Sequence, residues 1–255
     1  MSGYSDLTNK YRMLYDIHTH TTFSHGKGSV EDNVKAAVTK GLSVIGISDH
    51  GPGHLTYGVK PGDFPKMRAE VERLKPLYPD IEILLGVEAN IINPSGNLDI
   101  KKEEFANFDY ILAGYHYGIF GEEPLQAAKA HIINFWSTFI VKNRETAQKK
   151  INTGLVIRAL YENDIKVLTH PGDKGQFDIL PIANACAKTG TLMEISTWHD
   201  APTEEDLRII GGTDAAFIIS SDAHSPERVG TFIPGLERAL KAGIDPARIK
   251  NLEEI

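Results

Sequence analysis

Short apolar segments alternate with helix-like segments about seven times along this chain, and this alternation limits its fold more than any other sequence feature. The predicted strands cover residues 13–17, 42–48, 81–87, 109–113, 165–168, 191–195 and 216–219. The second of them, Leu-Ser-Val-Ile-Gly-Ile-Ser, is apolar over most of its length, which is typical of parallel strands buried on both faces. Strands that alternate with helices in this way predict an α/β fold with a parallel sheet.

The segments between the strands carry signals for helix starts. Ser29 precedes a helix predicted over residues 30–40, with two acids in its first turn, where the helix dipole favours negative charge. We expect further helices to begin at Asp63, Thr203 and Ser225, the last with proline in its first position. Helical spacing of apolar residues adds segments near 101–105, 179–188 and 236–242, and two helices within 125–163.

Length and composition fit one domain over residues 1–255, in which we interpret 121–150 as a helical insertion. The 255 residues, of which 41% are apolar, suffice for a single α/β barrel. We expect neither a membrane-spanning segment nor a signal peptide. The lone cysteine, Cys186, excludes an intramolecular disulfide, indicates a cytoplasmic protein and is expected in the core. A net charge of −7 disfavours general nucleic-acid binding.

Side chains that can bind metals directly follow six of the seven predicted strands. They are His18 and His20, His50, Glu88, His116, His170, and Asp222 with His224, while His25 comes five residues after the first pair. One histidine after a strand is usually an ordinary polar residue, but chance does not explain six such strand ends. All carboxyl ends of a parallel barrel meet on one face, whereas an open sheet would spread them along a line. We therefore predict a closed or nearly closed barrel with a shared metal site.

The number and type of these ligands indicate the chemistry. Nine ligands exceed the roughly four that one zinc ion takes, so they suit two or three ions. Seven neutral imidazoles and two carboxylates would offset only a small part of the positive charge of two or three divalent ions. The pocket would therefore be positive and should attract a phosphate dianion. Neighbouring ions can also hold a hydroxide in line for attack on phosphorus.

The motifs at these strand ends resemble those of the PHP (polymerase and histidinol phosphatase) superfamily, in the family's order and over about residues 13–228. They are His18-Thr19-His20, Ser48-Asp49-His50-Gly51-Pro52, Gly86-Val87-Glu88-Ala89-Asn90, Gly114-Tyr115-His116, Thr169-His170-Pro171-Gly172 and Ser221-Asp222-Ala223-His224. The resemblance implies a distorted seven-stranded TIM-like (β/α)7 barrel, a trinuclear metal site and phosphoesterase activity. This chain has His25 at a position where many members of the family have aspartate. The difference makes the site resemble that of the small-phosphatase branch of the family.

The resemblance also implies three divalent ions and the residues that would bind each of them. Zinc is the first candidate for the metal, and manganese and iron are alternatives. The first ion would be bound by His18, His20, Glu88 and Asp222. Glu88 would bridge to a second ion, bound also by His116 and His170. The third ion would be bound by His25, His50 and His224.

Several further residues are candidates for roles in catalysis or substrate binding. Asp222, Glu88 and Asp49 are the catalytic candidates, and Asp49 has the alternative of orienting a ligand histidine or a backbone amide. Arg228, Lys27 and Lys174 are the candidates for contact with the substrate phosphate, because guanidinium and ammonium groups suit phosphate. We interpret His54 and His199 as residues at the mouth of the site and His131 as structural.

The predicted function is hydrolysis of a small phosphomonoester, such as histidinol phosphate, by a metal-bridging hydroxide. A phosphodiesterase or nuclease of the same family is one alternative, which the acidic net charge disfavours. A second is an amidohydrolase-like C–N hydrolase, and a third is a non-catalytic metal-binding module. The expected partner is a small phosphorylated substrate, with no membrane and no nucleic acid, and the oligomeric state is not readable from the sequence.

Overall fold

Seven parallel strands form a nearly closed barrel with helices between them, which confirms the predicted fold class. A computed structural model describes residues 2–116 and 145–255. Its strands are β1 Tyr11–Met13, β2 Tyr15–Asp16, β3 Val44–Ile47, β4 Glu82–Asn90, β5 Tyr110–Gly114, β6 Val167–Leu168, β7 Leu192–Ser196, β8 Phe217–Ser220 and β9 Leu252–Glu254. Strands β2 to β8 pair in chain order, each parallel to the next, while β1 and β9 form a separate antiparallel pair.

The described helices begin largely where the sequence signals place them. They are α1 Ser2–Lys10, α2 Val30–Thr39, α3 Phe64–Leu74, α4 Glu145–Glu162, α5 Ile179–Thr189, α6 Glu204–Gly211 and α7 Ile233–Lys241. Ser29 and Thr203 cap α2 and α6, each exchanging hydrogen bonds with the aspartate three residues on. None of the described helices combines the length and the apolar character that a membrane span needs.

Two local predictions were wrong and a third holds in part. Segment 13–17 is split, because β1 pairs with β9 and only Tyr15–Asp16 joins the barrel. Helix α3 begins directly after Asp63, as predicted, but the Asp63 side chain makes no capping bond and instead pairs with Lys66. After Ser225 the chain forms a single 3-10 turn, Pro226–Arg228, instead of a helix.

Part of the predicted insertion falls inside the structure and part does not. Residues 117–144, including His131 and most of the expected helical insertion at 121–150, lie outside the described residues. Residues 145–150 open α4. The described part of the chain therefore tests the second of the two helices predicted within 125–163, and it confirms that one.

The interior of the barrel changes from apolar to polar along the strands. Its apolar layer consists of Ile17, Leu112, Val167, Leu192 and Ile218. Because strand side chains alternate between faces, the residues two positions further along also point inward. On β7 this residue is Glu194, two positions after Leu192, and it is completely buried, as is Glu88 on β4. The polar residues therefore collect at the carboxyl ends of the strands.

The seam between β2 and β8 is closed differently at its two ends. Toward the carboxyl ends, the His20 N–H donates to the Ala223 carbonyl at 2.8 Å. Toward the start of β2, the buried side chain of Asn251 lies between the strands. Its Nδ2 donates to the carbonyls of Tyr15 and Ile219, and its Oδ1 accepts from the Ile219 N–H. One side chain thus replaces the ladder that a fully closed barrel would have there.

Candidate metal centre

The nine predicted ligands lie together at the carboxyl ends of the barrel strands. The histidine rings form a continuous cluster in which neighbouring centroids are 4.2 to 6.1 Å apart. His18 and His20 follow β2, His50 follows β3, and His116 follows β5. The convergence that the strand-end pattern predicted is therefore present in the structure.

Glu88 lies at the centre of this cluster and is completely buried. Its Oε2 is 2.8 Å from His50 Nδ1 and 3.4 Å from His18 Nε2. Its Oε1 is 3.0 Å from His170 Nε2 and 3.3 Å from His116 Nε2. Burial opposes ionisation of Glu88, but the surrounding imidazoles outweigh it and hold its pKa well below the ordinary value. The two oxygens of one carboxylate therefore face two different sets of histidines.

Asp222 is the second buried carboxylate of the cluster. Its Oδ1 is 3.1 Å from His20 Nε2 and 3.6 Å from His18 Nε2. Its backbone has φ +48°, a left-handed conformation that side-chain-bearing residues seldom adopt. Such local strain is common where a functional side chain must point in one direction.

The donor set fits divalent metal ions. Four groups of side chains place their ligand atoms within 4.8 Å of one another: His20, His50 and His224; His18, His20 and Asp222; His50, Glu88 and His116; and His170, His199 and Asp222. Glu88 Oε2 and Asp222 Oδ2 are buried. Imidazole nitrogens of His50 and His199 lie 2.8 and 3.4 Å from them, but neither oxygen accepts a hydrogen bond of acceptable geometry among the described residues. Buried carboxylate oxygens without a partner are costly in a folded protein unless a cation compensates them.

The protonation of several imidazoles also suits metal binding, which requires the neutral ring. Burial and the neighbouring His50 lower the pKa of His20 well below its ordinary value. Burial likewise lowers the pKa of His116 to about 4. Burial disfavours the charged form of His18 as well, but the carboxylates of Glu194, Asp222 and Glu88 outweigh it and raise the pKa of this ring.

Glu194 and Asn90 orient ligand histidines, and the sequence patterns did not single them out. His18 Nδ1 lies 2.6 Å from Glu194 Oε1, and His116 Nδ1 lies 2.7 Å from Asn90 Oδ1. Asn90 is itself held by Asp99, which accepts hydrogen bonds from its backbone and side-chain N–H groups. A signal for Glu194 did exist, since it is the one charged residue in the predicted strand 191–195.

The structure does not support Asp49 as a group that acts on substrate. Its carboxylate is completely buried and accepts hydrogen bonds from the Thr21 N–H and hydroxyl, both at 2.7 Å, and from the Ser24 hydroxyl. These bonds fix the loop between His20 and His25. The geometry favours the positioning alternative, because both carboxylate oxygens are engaged by the loop.

A pocket of about 190 Å³ opens onto the cluster. It is lined by His25, His50, His54, Tyr57, Glu88, His116, His170, Lys174, Trp198, His199, Asp222 and His224. His54 and His199 thus line this pocket. Of the three candidates for the substrate phosphate, only Lys174 is among the described residues that line it.

Arg228 and Lys27 lie elsewhere. The Arg228 guanidinium lies 4.8 Å from the centre of the Trp198 ring and donates to the Thr197 carbonyl at 3.0 Å. Its contacts support the loop that carries Trp198, and its assignment to the substrate phosphate stays a prediction. Lys27 is exposed on the loop after His25, outside the pocket lining, and its assignment to the substrate phosphate also stays a prediction.

His199, which the sequence placed only near the mouth, is well positioned for chemistry. Its Nδ1 lies 3.1 Å from Asp173 Oδ2, and its Nε2 lies 3.4 Å from Asp222 Oδ2. Its ring centroid is 4.8 Å from that of His170. It follows β7 by three residues, a separation that hid it from the strand-end pattern.

Comparison with known proteins points to one family. The family model described as PHP domain matches residues 16–197, well over half of the chain. The chain is 28% identical over 251 residues to "Probable phosphatase YcdX" of Escherichia coli O1:K1 / APEC, covering 93% of this chain and 89% of that protein. It is 26% identical over 250 residues to "Probable phosphatase" of Shewanella frigidimarina, covering 94% and 89%.

A solved structure shares the fold. It is the histidinol phosphate phosphatase of Lactococcus lactis subsp. lactis Il1403, described as complexed with zinc, L-histidinol and phosphate. It superposes with a TM-score of 0.56 at 15% sequence identity, covering 91% of this chain and 95% of that one.

Proposed function

This chain belongs to the PHP domain family, and we propose that it is a metal-dependent phosphatase that hydrolyses a small phosphomonoester. The observation that carries the proposal is the position of Glu88. Its two oxygens face separate sets of buried imidazoles, with Asp222 completing the cluster at the base of a pocket. This arrangement suits several divalent ions held close together.

We assign the ligands as the family motifs imply. His18, His20, Glu88 and Asp222 would hold one ion, Glu88 with His116 and His170 a second, and His25, His50 and His224 a third. The ligand-atom distances support the grouping of His18, His20 and Asp222. Elsewhere they differ from the assignment, because His50 lies with Glu88 and His116, His20 lies with His50 and His224, and His170 lies with His199 and Asp222. His25 belongs to none of the four groups found among the described residues. Zinc is the first candidate, as in the similarly folded histidinol phosphate phosphatase, and manganese or iron are alternatives.

Bound divalent ions would supply Lewis-acid stabilisation of the phosphoryl oxygens and activation of the attacking water. The protein's part is to hold the ligands rigidly and to receive the substrate. Lys174, which lines the pocket, is the candidate best placed to attract the phosphate group. The volume of the pocket, about 190 Å³, favours a small ester over a polymer.

His199 is the residue we assign to protonation of the leaving oxygen. The Asp173 carboxylate lies 3.1 Å from Nδ1, and Nε2 lies 3.4 Å from Asp222 Oδ2 inside the site. An alkoxide leaving group needs a proton as the P–O bond breaks. The imidazolium form of His199, which carries a proton on both ring nitrogens, can donate the proton on Nε2 and leave a neutral ring whose Nδ1 faces Asp173.

The test is release of inorganic phosphate by metal-replete protein from a panel of small phosphomonoesters that includes L-histidinol phosphate. We expect turnover of at least one member and its loss in Asp222→Asn, which is nearly isosteric but lacks the carboxylate. The same preparations are given bis(p-nitrophenyl) phosphate and a small amide. Absence of phosphate release with metals bound contradicts the proposal, and cleavage of the diester or the amide alone would favour the corresponding alternative.

A further inference from the structure

The end of β7 carries no assigned metal ligand, yet it supplies the completely buried carboxylate of Glu194. Glu194 lies two residues after Leu192 and shares its inward face, so it enters the barrel next to the metal centre. A charged side chain at such a position needs partners for both oxygens. Both partners belong to residues of the metal centre.

The two oxygens contact different ligand residues. Oε1 is 2.6 Å from His18 Nδ1, and Oε2 accepts a hydrogen bond from the His170 N–H at 2.7 Å. His170 has φ +26°, a conformation that residues other than glycine rarely adopt, and it is followed by Pro171. The bond to Glu194 therefore holds a strained backbone in place. One carboxylate connects the ends of β2 and β6.

The contact with His18 has a chemical consequence. An imidazole that binds a metal is neutral and carries one N–H, so in that state a proton on Nδ1 that is donated to Glu194 leaves Nε2 as the lone-pair nitrogen. His18 Nε2 is the atom that faces the cluster, 3.4 Å from Glu88 Oε2 and 3.6 Å from Asp222 Oδ1. The tautomer that Glu194 selects is the one able to bind a metal at this position.

We propose that Glu194 is a positioning residue that fixes the tautomer of His18 and the backbone of His170 at once. It thereby couples the two metal positions to which these histidines are assigned, and it leaves the third position independent. This inference rests on the ligand assignment of the proposed function.

Substitution of Glu194 by glutamine tests the idea, because a glutamine side chain has one acceptor and one donor where glutamate has two acceptors. The His170 backbone N–H can only donate, so it takes the amide oxygen of the new side chain. The amide NH₂ then faces His18 Nδ1, which must accept and therefore leave its proton on Nε2. Glu194→Gln should thus put His18 in the tautomer that cannot bind the ion, with almost no change of volume.

The experiment is zinc titration of the full-length chain, after chelation, against a chromophoric chelator. For Glu194→Gln we expect two of the three binding events to weaken about 10- to 100-fold, while the event assigned to His25, His50 and His224 changes less than about twofold. Thr191→Val is the matched control, since Thr191 is buried just before the same strand and its hydroxyl bonds to Thr189. It should leave all three events unchanged.

Two outcomes overturn the proposal: zinc binding in Glu194→Gln that equals wild type, and an equal loss at all three positions. At a zinc concentration that fills wild type but leaves the weakened positions of Glu194→Gln empty, ¹⁵N shifts of His18 should show the proton on Nδ1 in wild type and on Nε2 in Glu194→Gln; Nδ1 protonation in both also contradicts it. If Glu194→Gln does not fold, Glu194→Asp replaces it, because the shorter carboxylate cannot reach both donors and predicts the same selective loss.

The readout separates this proposal from the proposed function. A wild-type chain that binds three zinc ions but releases no phosphate contradicts the phosphatase assignment and leaves the role of Glu194 standing. A phosphatase whose Glu194→Gln variant binds zinc normally contradicts only the role of Glu194.

Discussion

The two ends of the barrel bury polar side chains in opposite ways. Near the start of β2, the Asn251 side chain makes hydrogen bonds with both its amide hydrogens and its oxygen, all to the backbone of β2 and β8. At the carboxyl ends, Glu88 and Asp222 each keep one buried oxygen without a hydrogen-bond partner among the described residues. The first arrangement is complete within the protein, and the second needs a ligand.

This difference separates stability from function. Buried polar groups that are fully bonded hold a fold together, whereas groups left without a partner indicate that something else must bind. Arg248 extends the first pattern, since it donates to the carbonyls of Gly211, Thr213 and Ala215. The comparison therefore predicts that substitutions at the carboxyl end will reduce metal binding and activity, whereas substitutions at the other end will reduce the free energy of unfolding.

The largest expected effect is that of Glu88→Gln at the carboxyl end. Metal ions contribute several kcal/mol of charge stabilisation to phosphoryl transfer, so phosphate release should fall by roughly 10³-fold or more. Metal content, measured by elemental analysis, should fall with it. A variant that kept both its metals and its activity would remove Glu88 from the centre of the site.

His199→Asn sharpens the distinction within the carboxyl end. As a proton donor to the leaving group, His199 should contribute roughly 10²-fold to kcat for alkyl phosphates. It should contribute much less for p-nitrophenyl phosphate, whose leaving group departs without a proton. The ratio of the two rates in wild type and variant is the measurement, and an equal loss for both substrates argues against proton donation.

Asn251→Ala tests the opposite end. It leaves the Ile219 N–H and two carbonyls of the seam without partners, so the free energy of unfolding should fall by about 2–4 kcal/mol. Urea denaturation gives this value. Metal content and the activity of the folded fraction should remain within about twofold of wild type, and loss of metal at this position would break the comparison.

The smallest expected effect concerns Cys186, which is buried among apolar residues of α5. Burial raises the pKa of its thiol to about 12, so little thiolate exists at neutral pH. The native protein should not react with iodoacetamide over hours, whereas the urea-denatured chain should react within minutes. Rapid labelling of the native protein would place this thiol outside the core.

The strand-end pattern predicted the barrel and the convergence of His18, His50 and Glu88 because both follow from local periodicity and from the geometry of parallel strands. Capping at Ser29 and Thr203 was predictable for a similar reason, since each motif lies within four residues. These features need no knowledge of distant contacts.

Features that depend on long-range partners were not predictable from such patterns. The split of segment 13–17 depends on pairing with β9, some 240 residues away along the chain. Glu194 orients His18 across 176 residues. Arg228 seemed suited to phosphate by its chemistry, but the position of Trp198 decided what it contacts. Local propensity cannot rank such alternatives, because tertiary packing selects among them.

The most direct test of the account is a zinc titration of the chelated wild-type chain, followed by phosphate release from the best substrate of the panel. Activity should be absent without metal, should rise as zinc is added and should level off at three equivalents per chain. Full activity in the chelated protein, or three bound zinc ions without any phosphate release, would contradict the claim that the carboxyl-end cluster is a hydrolytic metal centre.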